Sequence, residues 1–188
     1  MKNGIRKREE NRGFEIEGKT IGLIGYGKTG KSFAKKLSGF NCNIIFCDIK
    51  TNLGDNYARE VKINELKETS DIISLHTNLN ESSRHIIDKQ FIDDCKKSFC
   101  LINTARGECI SNHDLIYGLE SDKIIGAGLD VLENENKDFE GIAVDQNLEK
   151  LKKFKNVILT PHIAGWSKES KVKLAQITVN KIKEFLDL

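Results

Sequence analysis

Short apolar runs alternate with amphipathic stretches along most of the chain. The runs are "TIGLIG" (20–25), "NIIFCD" (43–48), "DIISLH" (71–76), "SFCLINT" (98–104), "IIGAGLDV" (124–131) and "NVILT" (156–160). Each is short and mostly rich in Ile, Val, Leu or Phe, the composition of strands buried on both faces. Between them the pattern predicts helices over Lys28–Ser38, Ile63–Thr69, Glu81–Ile87 and Asn112–Ser121, with a long final helix over Lys168–Asp187. In that last helix Val172, Ala175, Val179, Ile182 and Leu186 recur at three- and four-residue intervals and form an apolar stripe. The alternation predicts βα units and an α/β fold with a mainly parallel sheet and helices on both faces.

No internal repeat, low-complexity tract or linker divides the sequence. Its 188 residues suit one domain, since domains run from about 50 to 250 residues. Net charge is only +2, and like charges cluster only in the first dozen residues. Nothing resembles a nucleic-acid or membrane-surface footprint, and a small-molecule partner is expected. Five cysteines (42, 47, 95, 100 and 109) are odd in number and lack C-x-x-C spacing, so neither a disulfide framework nor a metal site is expected. The thiols read as reduced and the location as cytoplasmic. The start has charge but no apolar leader segment, and no run approaches the roughly 20 apolar residues of a membrane span.

Chemistry enters with "IGLIGYGKTGKSFAKKL". Gly25, Gly27 and Gly30 spell G-x-G-x-x-G between a strand and a helix. In that setting Gly25 makes the tight turn, Gly27 lets a pyrophosphate approach the backbone, and Gly30 seats helix against strand. The amides near Lys28 and Thr29 then face the phosphates at the helix's positive end. Asp48, eighteen residues beyond Gly30, ends the next strand, where its carboxylate can accept hydrogen bonds from ribose hydroxyls and repel a 2′-phosphate. This favours NAD over NADP, although Lys50 is nearby. The bland alternative is that the glycines only close a βα turn and Asp48 caps a loop. With the cradle in place the fold is expected to be of the Rossmann type, doubly wound, over residues 19–167. Residues 1–18 form a charged lead-in and 168–188 the amphipathic helix.

Three further strand ends carry reactive groups. Arg106, in "LINTARGECI", could clamp a carboxylate through two parallel hydrogen bonds and polarise an adjacent carbonyl, or could equally be a plain surface arginine. "GAGLDVLENENKD" supplies Asp130, followed by Glu133 and Glu135. "VILTPHIAGW" supplies His162 after the single proline, Pro161. A histidine beside a carboxylate can exchange a proton with a carbonyl or alcohol oxygen; taken singly, such a histidine is more often a loop residue.

Together "GKTIGLIGYGKTG", "CDIK", "LHTNLNESSRHIID", "INTARGECI", "AGLDVLENE" and "LTPHIAG" resemble the ordered signature blocks of the D-isomer-specific 2-hydroxyacid dehydrogenases, over about residues 15–175. The resemblance implies hydride transfer between NAD and a D-2-hydroxy acid or 2-oxo acid. By position it makes Arg106 the group that orients substrate, His162 the acid/base and Glu135 its partner. It places Lys28, Thr29, Asp48, Thr77, Thr104, Ala105 and Asp130 along the NAD site, with Asp130 near the nicotinamide carboxamide. Glu135 is chosen over Glu133 by register with the family alone. Asn78 and Asn136 stand where the family usually has proline, which should loosen those loops without removing a catalytic group.

The larger departure is that family members are usually much longer, with most of a substrate domain preceding the glycine loop. The chain therefore reads as a coenzyme domain, with the lead-in and last helix short of their usual packing and apolar surface left for a homodimer or a second chain supplying the substrate domain. NAD binding should survive better than catalysis, because positioning contacts and exclusion of water depend on the missing wall. A non-catalytic NAD(H)-binding module, or a remnant of such a dehydrogenase, is the competing reading. A resemblance to adenosylhomocysteinase through the G-Y-G turn leaves "NTARG", "GLDV" and "TPH" unexplained.

Overall fold

The computed structural model describes residues 6, 8–9, 12–133, 135 and 146–186. Asn136, Asp187 and parts of the charged lead-in lie outside these residues. The elements in chain order are β1 (Thr20–Ile24), α1 (Lys28–Leu37), β2 (Asn43–Cys47), β3 (Arg59–Glu60), α2 (Ile63–Thr69), β4 (Ile72–Leu75), α3 (Lys89–Asp94), β5 (Phe99–Asn103), a 3₁₀ turn (Gly107–Cys109), α4 (Asn112–Glu120), β6 (Ile124–Leu129), α5 (Gln146–Leu151), β7 (Val157–Leu159) and α6 (Lys168–Phe185).

The described strands form one seven-stranded sheet in the order β3-β2-β1-β4-β5-β6-β7, parallel throughout. This is a Rossmann-type doubly wound sheet, with the order reversing between β1 and β4. Its apolar runs are strands because parallel pairing needs a crossover after each strand, which buries the strand's faces under helices. Ile73, Leu75, Leu101 and Leu129 pack on one face against Leu66 of α2, Phe91 and Ile92 of α3, Leu115 and Leu119 of α4 and Leu151 of α5. Ile21, Leu23, Ile44 and Phe46 pack on the other against Phe33, Ala34 and Leu37 of α1.

The second face is only half covered. Ile102, Gly128 and Ile158 lie side by side across β5, β6 and β7, and no described helix lies over them. They line a cleft of about 330 Å³, and Ile158 is 69% exposed. α6 buries none of its residues. The expected stripe is present, with Val172, Val179, Ile182 and Leu186 all exposed, and Leu174, Ile177 and Phe185 add a second exposed apolar group, roughly opposite the first at 3.6 residues per turn.

One expected helix is absent. Residues 81–85 form turns and the next helix starts at Lys89. Asn80 Oδ1 accepts the Ser82 and Ser83 amides, Ser83 Oγ donates to the Asn78 carbonyl, and His85 adopts a left-handed φ of 49°. These local side-chain bonds offer the backbone partners other than a helix ladder. The helix begins instead where Asp88 Oδ1 accepts the Phe91 amide at 2.7 Å, an N-cap. The sequence pattern also passed over the two-residue β3 and the short α3 and α5.

The contrast between the two faces is measurable. Leu101, wholly buried, should cost about 2–5 kcal/mol as Leu101→Ala. Ile158→Ala should cost under about 1 kcal/mol, as expected for an exposed strand position. Urea unfolding of the two variants checks this; a large loss at Ile158 would mean that the face is covered in solution.

Candidate functional site

Because all strands run the same way, the loops after β1, β2, β4, β5, β6 and β7 emerge at one edge of the sheet, and these loops together with the first turn of α1 carry every sequence-predicted site residue. Gly25 follows β1 with φ +95°, and a Cβ there would sit 2.7 Å from the His76 carbonyl oxygen. Gly30 fits α1 against the turn, since its Cβ would meet the Gly25 carbonyl oxygen at 2.4 Å. Gly27 differs: nothing lies within 4 Å of the position its Cβ would take. It caps α1 without a side-chain hydrogen bond, and the first turn, which opens with Lys28 and Thr29, has no acidic residue. Open ground above a helix N-terminus fits a pyrophosphate.

Asp48 follows β2. Its Oδ2 accepts the Tyr26 amide at 2.6 Å and its Oδ1 the Lys50 amide at 2.9 Å. These bonds orient the carboxylate beside the glycine turn and leave each oxygen a further lone pair to accept with. After β4 come His76 and Thr77. Thr77 Oγ1 lies 3.4 Å from Cys109 Sγ. The sequence reading passed over His76. Its Nε2 is 3.0 Å from Ser74 Oγ, its ring tilts against Phe33 at 5.1 Å, and burial pushes its pKa down to about 4, so it is neutral at pH 7.

After β5, Thr104 and Arg106 are exposed and Ala105 is buried. This turn is shaped by Asn103, fully buried at the strand end. Its Oδ1 accepts the Ala105 amide at 3.0 Å and its Nδ2 donates to the Arg106 carbonyl at 2.9 Å. Arg106 Nη1 donates to the Ala105 carbonyl at 2.6 Å. A Cβ on Gly107 would fall 2.0 Å from the Leu132 carbonyl oxygen, so the arginine turn abuts the loop that holds Glu133 and Glu135.

That loop separates the two glutamates. Glu135 Oε2 lies 2.8 Å from His162 Nδ1, and its Oε1 accepts the Leu132 amide. Glu133 faces elsewhere: its Oε1 lies 3.1 Å from His85 Nε2 and its Oε2 accepts the Asn112 amide at the start of α4. The histidine itself sits at φ +53°, a left-handed conformation that costs a non-glycine residue about 1–3 kcal/mol and that surrounding structure must hold. Asp130 does the holding. Its Oδ1 accepts Thr160 Oγ1 at 2.6 Å and the Ile163 amide at 2.9 Å, and its Oδ2 the Ala164 amide at 2.8 Å. Burial by itself would raise the Asp130 pKa, but these bonds and the nearby His162 outweigh it and hold the carboxyl below its ordinary range. Asp130 also lines the 330 Å³ cleft, together with Thr104 and Thr160.

Asn103, Gly107, Thr160 and His76 were missed as shaping residues. A polar Asn closing the apolar "CLIN" run and a Thr just before Pro161 were the available signals.

A glycine turn open above a helix N-terminus, a carboxylate bonded to that turn and a His–Glu pair, all along one edge of such a sheet, fit the cofactor domain of a dinucleotide-dependent oxidoreductase. The profile of the D-isomer specific 2-hydroxyacid dehydrogenase NAD-binding domain matches residues 1–164, and the chain belongs to that family, whose cofactor is NAD. It is 33% identical over 182 residues to a D-specific alpha-keto acid dehydrogenase of Enterococcus faecium, covering 94% of this chain and 56% of the relative. It is 36% identical over 182 residues to a hydroxypyruvate reductase of Thermotoga maritima, covering 97% and 58%. A crystal structure of a D-isomer specific 2-hydroxyacid dehydrogenase from Lactobacillus delbrueckii ssp. bulgaricus, in its NAD-complexed form, superposes with a TM-score of 0.83 at 31% identity, covering 94% of this chain and 57% of that one. The chain thus spans about half the length of the curated relatives it matches.

His76 makes the fold pH-sensitive in a defined window. Its pKa falls from 6.5 to about 4 on folding, so the unfolded chain binds the extra proton between those values. The stabilisation is complete above pH 6.5 and is lost as pH falls through 4, by as much as about 3 kcal/mol. Urea unfolding from pH 7 to pH 4 should show this decline, and His76→Gln should flatten it. An unchanged slope in the variant would assign the decline to other groups.

Proposed function

We propose that this chain is the coenzyme half of an NAD-dependent oxidoreductase that interconverts a D-2-hydroxy acid and its 2-oxo acid. The observation that carries the reading is the 2.8 Å His162–Glu135 pair, held on the same sheet edge as the glycine turn. Gly25, Gly27, Lys28, Thr29 and Gly30 cradle the pyrophosphate, and Asp48 takes the ribose. Thr77, Thr104, Ala105 and Asp130 line the path toward the nicotinamide. Bound NAD supplies the hydride chemistry. The protein's share is to place and protonate the substrate. Glu135 orients His162 through Nδ1, and in this reading the opposite ring nitrogen, Nε2, exchanges the proton with the substrate oxygen. Arg106 swings from the Ala105 carbonyl to the substrate carboxylate, where a bidentate bond fixes the carbonyl next to His162.

We further propose that turnover needs a partner, either a second chain that supplies the substrate-binding wall or a homodimer mate. The bare α6 and the uncovered strip over β5–β7 support this, since contiguous apolar surface of this kind marks an interface. The location we propose is cytoplasmic. Cys42, Cys47, Cys95, Cys100 and Cys109 are all free thiols, and burial lifts Cys47 to about 12 and Cys95 to about 11, so these two remain protonated and inert. No described helix is long and apolar enough to cross a membrane.

Calorimetry with NADH, followed by NADH oxidation with a panel of 2-oxo acids, tests the reading. Asp48→Ala should weaken NADH binding by about 1–3 kcal/mol, roughly fivefold to 150-fold; an unchanged titration would remove Asp48 from the site. In the assembly that turns over, His162→Ala should lower kcat by roughly a hundredfold or more while NADH affinity holds. Clear NADH binding with no turnover in any assembly would favour the non-catalytic module instead.

A further inference from the structure

Between the first two glycines of the turn stands Tyr26, a large side chain that is wholly buried. Its ring stacks on Phe46, with centroids 3.8 Å apart and planes within 10°. Its main chain and side chain point to different parts of the same loop. The amide donates to Asp48 Oδ2 at 2.6 Å, and the phenol donates to Asp55 Oδ1 at 2.8 Å.

Asp55 belongs to the segment between Asp48 and β3. The same Oδ1 accepts the Tyr57 amide at 2.9 Å and the Ala58 amide at 3.3 Å, which folds the loop into its return toward β3. The far end is fastened by Glu60 Oε2, which accepts the Leu53 amide at 2.9 Å, and by the pairing of Glu60 with Phe46. The Lys31 ammonium lies 5.3 Å from the Tyr26 ring centre and adds charge that favours the Asp55 carboxylate. Burial and the Asp55 carboxylate both raise the phenol's pKa, so it remains a donor. Tyr26 is therefore the residue through which the glycine turn grips both the ribose-facing carboxylate and the loop that follows it.

We infer that Tyr26 is a positioning residue for the adenosine half of the cofactor: its phenol, bonded to Asp55, holds the 49–58 loop in register with the glycine turn so that Asp48 and the loop meet the adenosine ribose together. The inference rests on the NAD reading of this site and adds a residue and a loop to it. A simple core role for Tyr26 would be filled by its ring alone, which Phe supplies equally well. The positioning role needs the hydroxyl.

The test is calorimetry on the purified chain with NADH, ADP-ribose and NMNH, for the wild type, Tyr26→Phe, Asp55→Asn and the double variant. Tyr26→Phe should weaken ADP-ribose binding roughly fivefold or more, the order expected for one hydrogen bond to a charged group, and leave NMNH binding as in the wild type. Asp55→Asn should do the same, and the double variant should be no weaker than the worse single one, because both remove one contact. Amide hydrogen exchange at Lys50 and Leu53–Ala58 should rise in Tyr26→Phe without any ligand. Unchanged ADP-ribose affinity in Tyr26→Phe, or an equal loss for NMNH, or additive losses in the double variant, would overturn the inference while leaving wild-type NADH binding intact. A wild type that binds neither NADH nor ADP-ribose would instead bring down the NAD reading, and this inference with it.

Discussion

Parallel pairing is the constraint on which everything else in this molecule depends. Strands that all run one way must be joined by crossovers, and every crossover returns the chain to the same starting edge. The opposite edge then collects the loops that leave the strands, however far apart those loops lie in sequence. Gly25, Asp48, Thr77, Arg106, Asp130 and His162 are spread over most of the chain, yet the sheet gathers them along one rim. No motif could do this alone, since no local turn spans that separation.

What the sheet gathers, short polar side chains then fix. Asp48 binds the Tyr26 and Lys50 amides, Asn103 binds both sides of the arginine turn, and Asp130 binds the segment from Thr160 to Ala164. In each case a side chain at or just past a strand end takes up backbone groups that the sheet has stopped pairing. The cost of leaving such groups unpaired, about 1–3 kcal/mol each when buried, is what makes the loops single-valued. Asp130 carries this furthest, because it holds His162 in a left-handed backbone conformation. The carboxylate that stabilises the loop also fixes the direction from which the imidazole meets Glu135.

The sheet was legible because burial on both faces leaves a one-dimensional trace, the apolar run, and the glycine turn because its spacing is local. α1, α2 and α4 were legible to within a residue for the same reason. Residues 81–87 misled because their composition allows a helix, whereas Asn80 and Ser83 satisfy the backbone locally and His85 turns it left-handed. Glu133 and Glu135 could not be told apart in sequence. Both follow the same strand, and what separates them is the distant His85 and Asn112 on one side and His162 on the other. The half-covered face was hidden for a related reason: "IIGAGLDV" and "NVILT" record that the strands are apolar, not whether helices cover both of their faces.

That uneven cover separates two tasks. The groups proposed to hold the pyrophosphate and the adenosine ribose follow β1 and β2, where α1 and α2 close the two faces, whereas Thr104, Ala105 and Asp130, proposed to line the path toward the nicotinamide, follow β5 and β6. The groups proposed for proton transfer and substrate capture sit over β5, β6 and β7, beside the strip where Ile102, Gly128 and Ile158 are open. α6, apolar on two sides and buried on neither, continues from the His162 loop into solvent. A surface pressed onto α6 would therefore act on the His162 loop directly, through the short segment from Ala164 to Ser167, and would reach the glycine turn only across the whole width of the sheet. A close-packed interior transmits displacement through elements in contact, and the segment contiguous with α6 is the His162 loop. The groups proposed for the adenosine end of the cofactor and the pair proposed for proton transfer thus lie at opposite ends of one rim, and a surface meeting α6 would reach the second before the first.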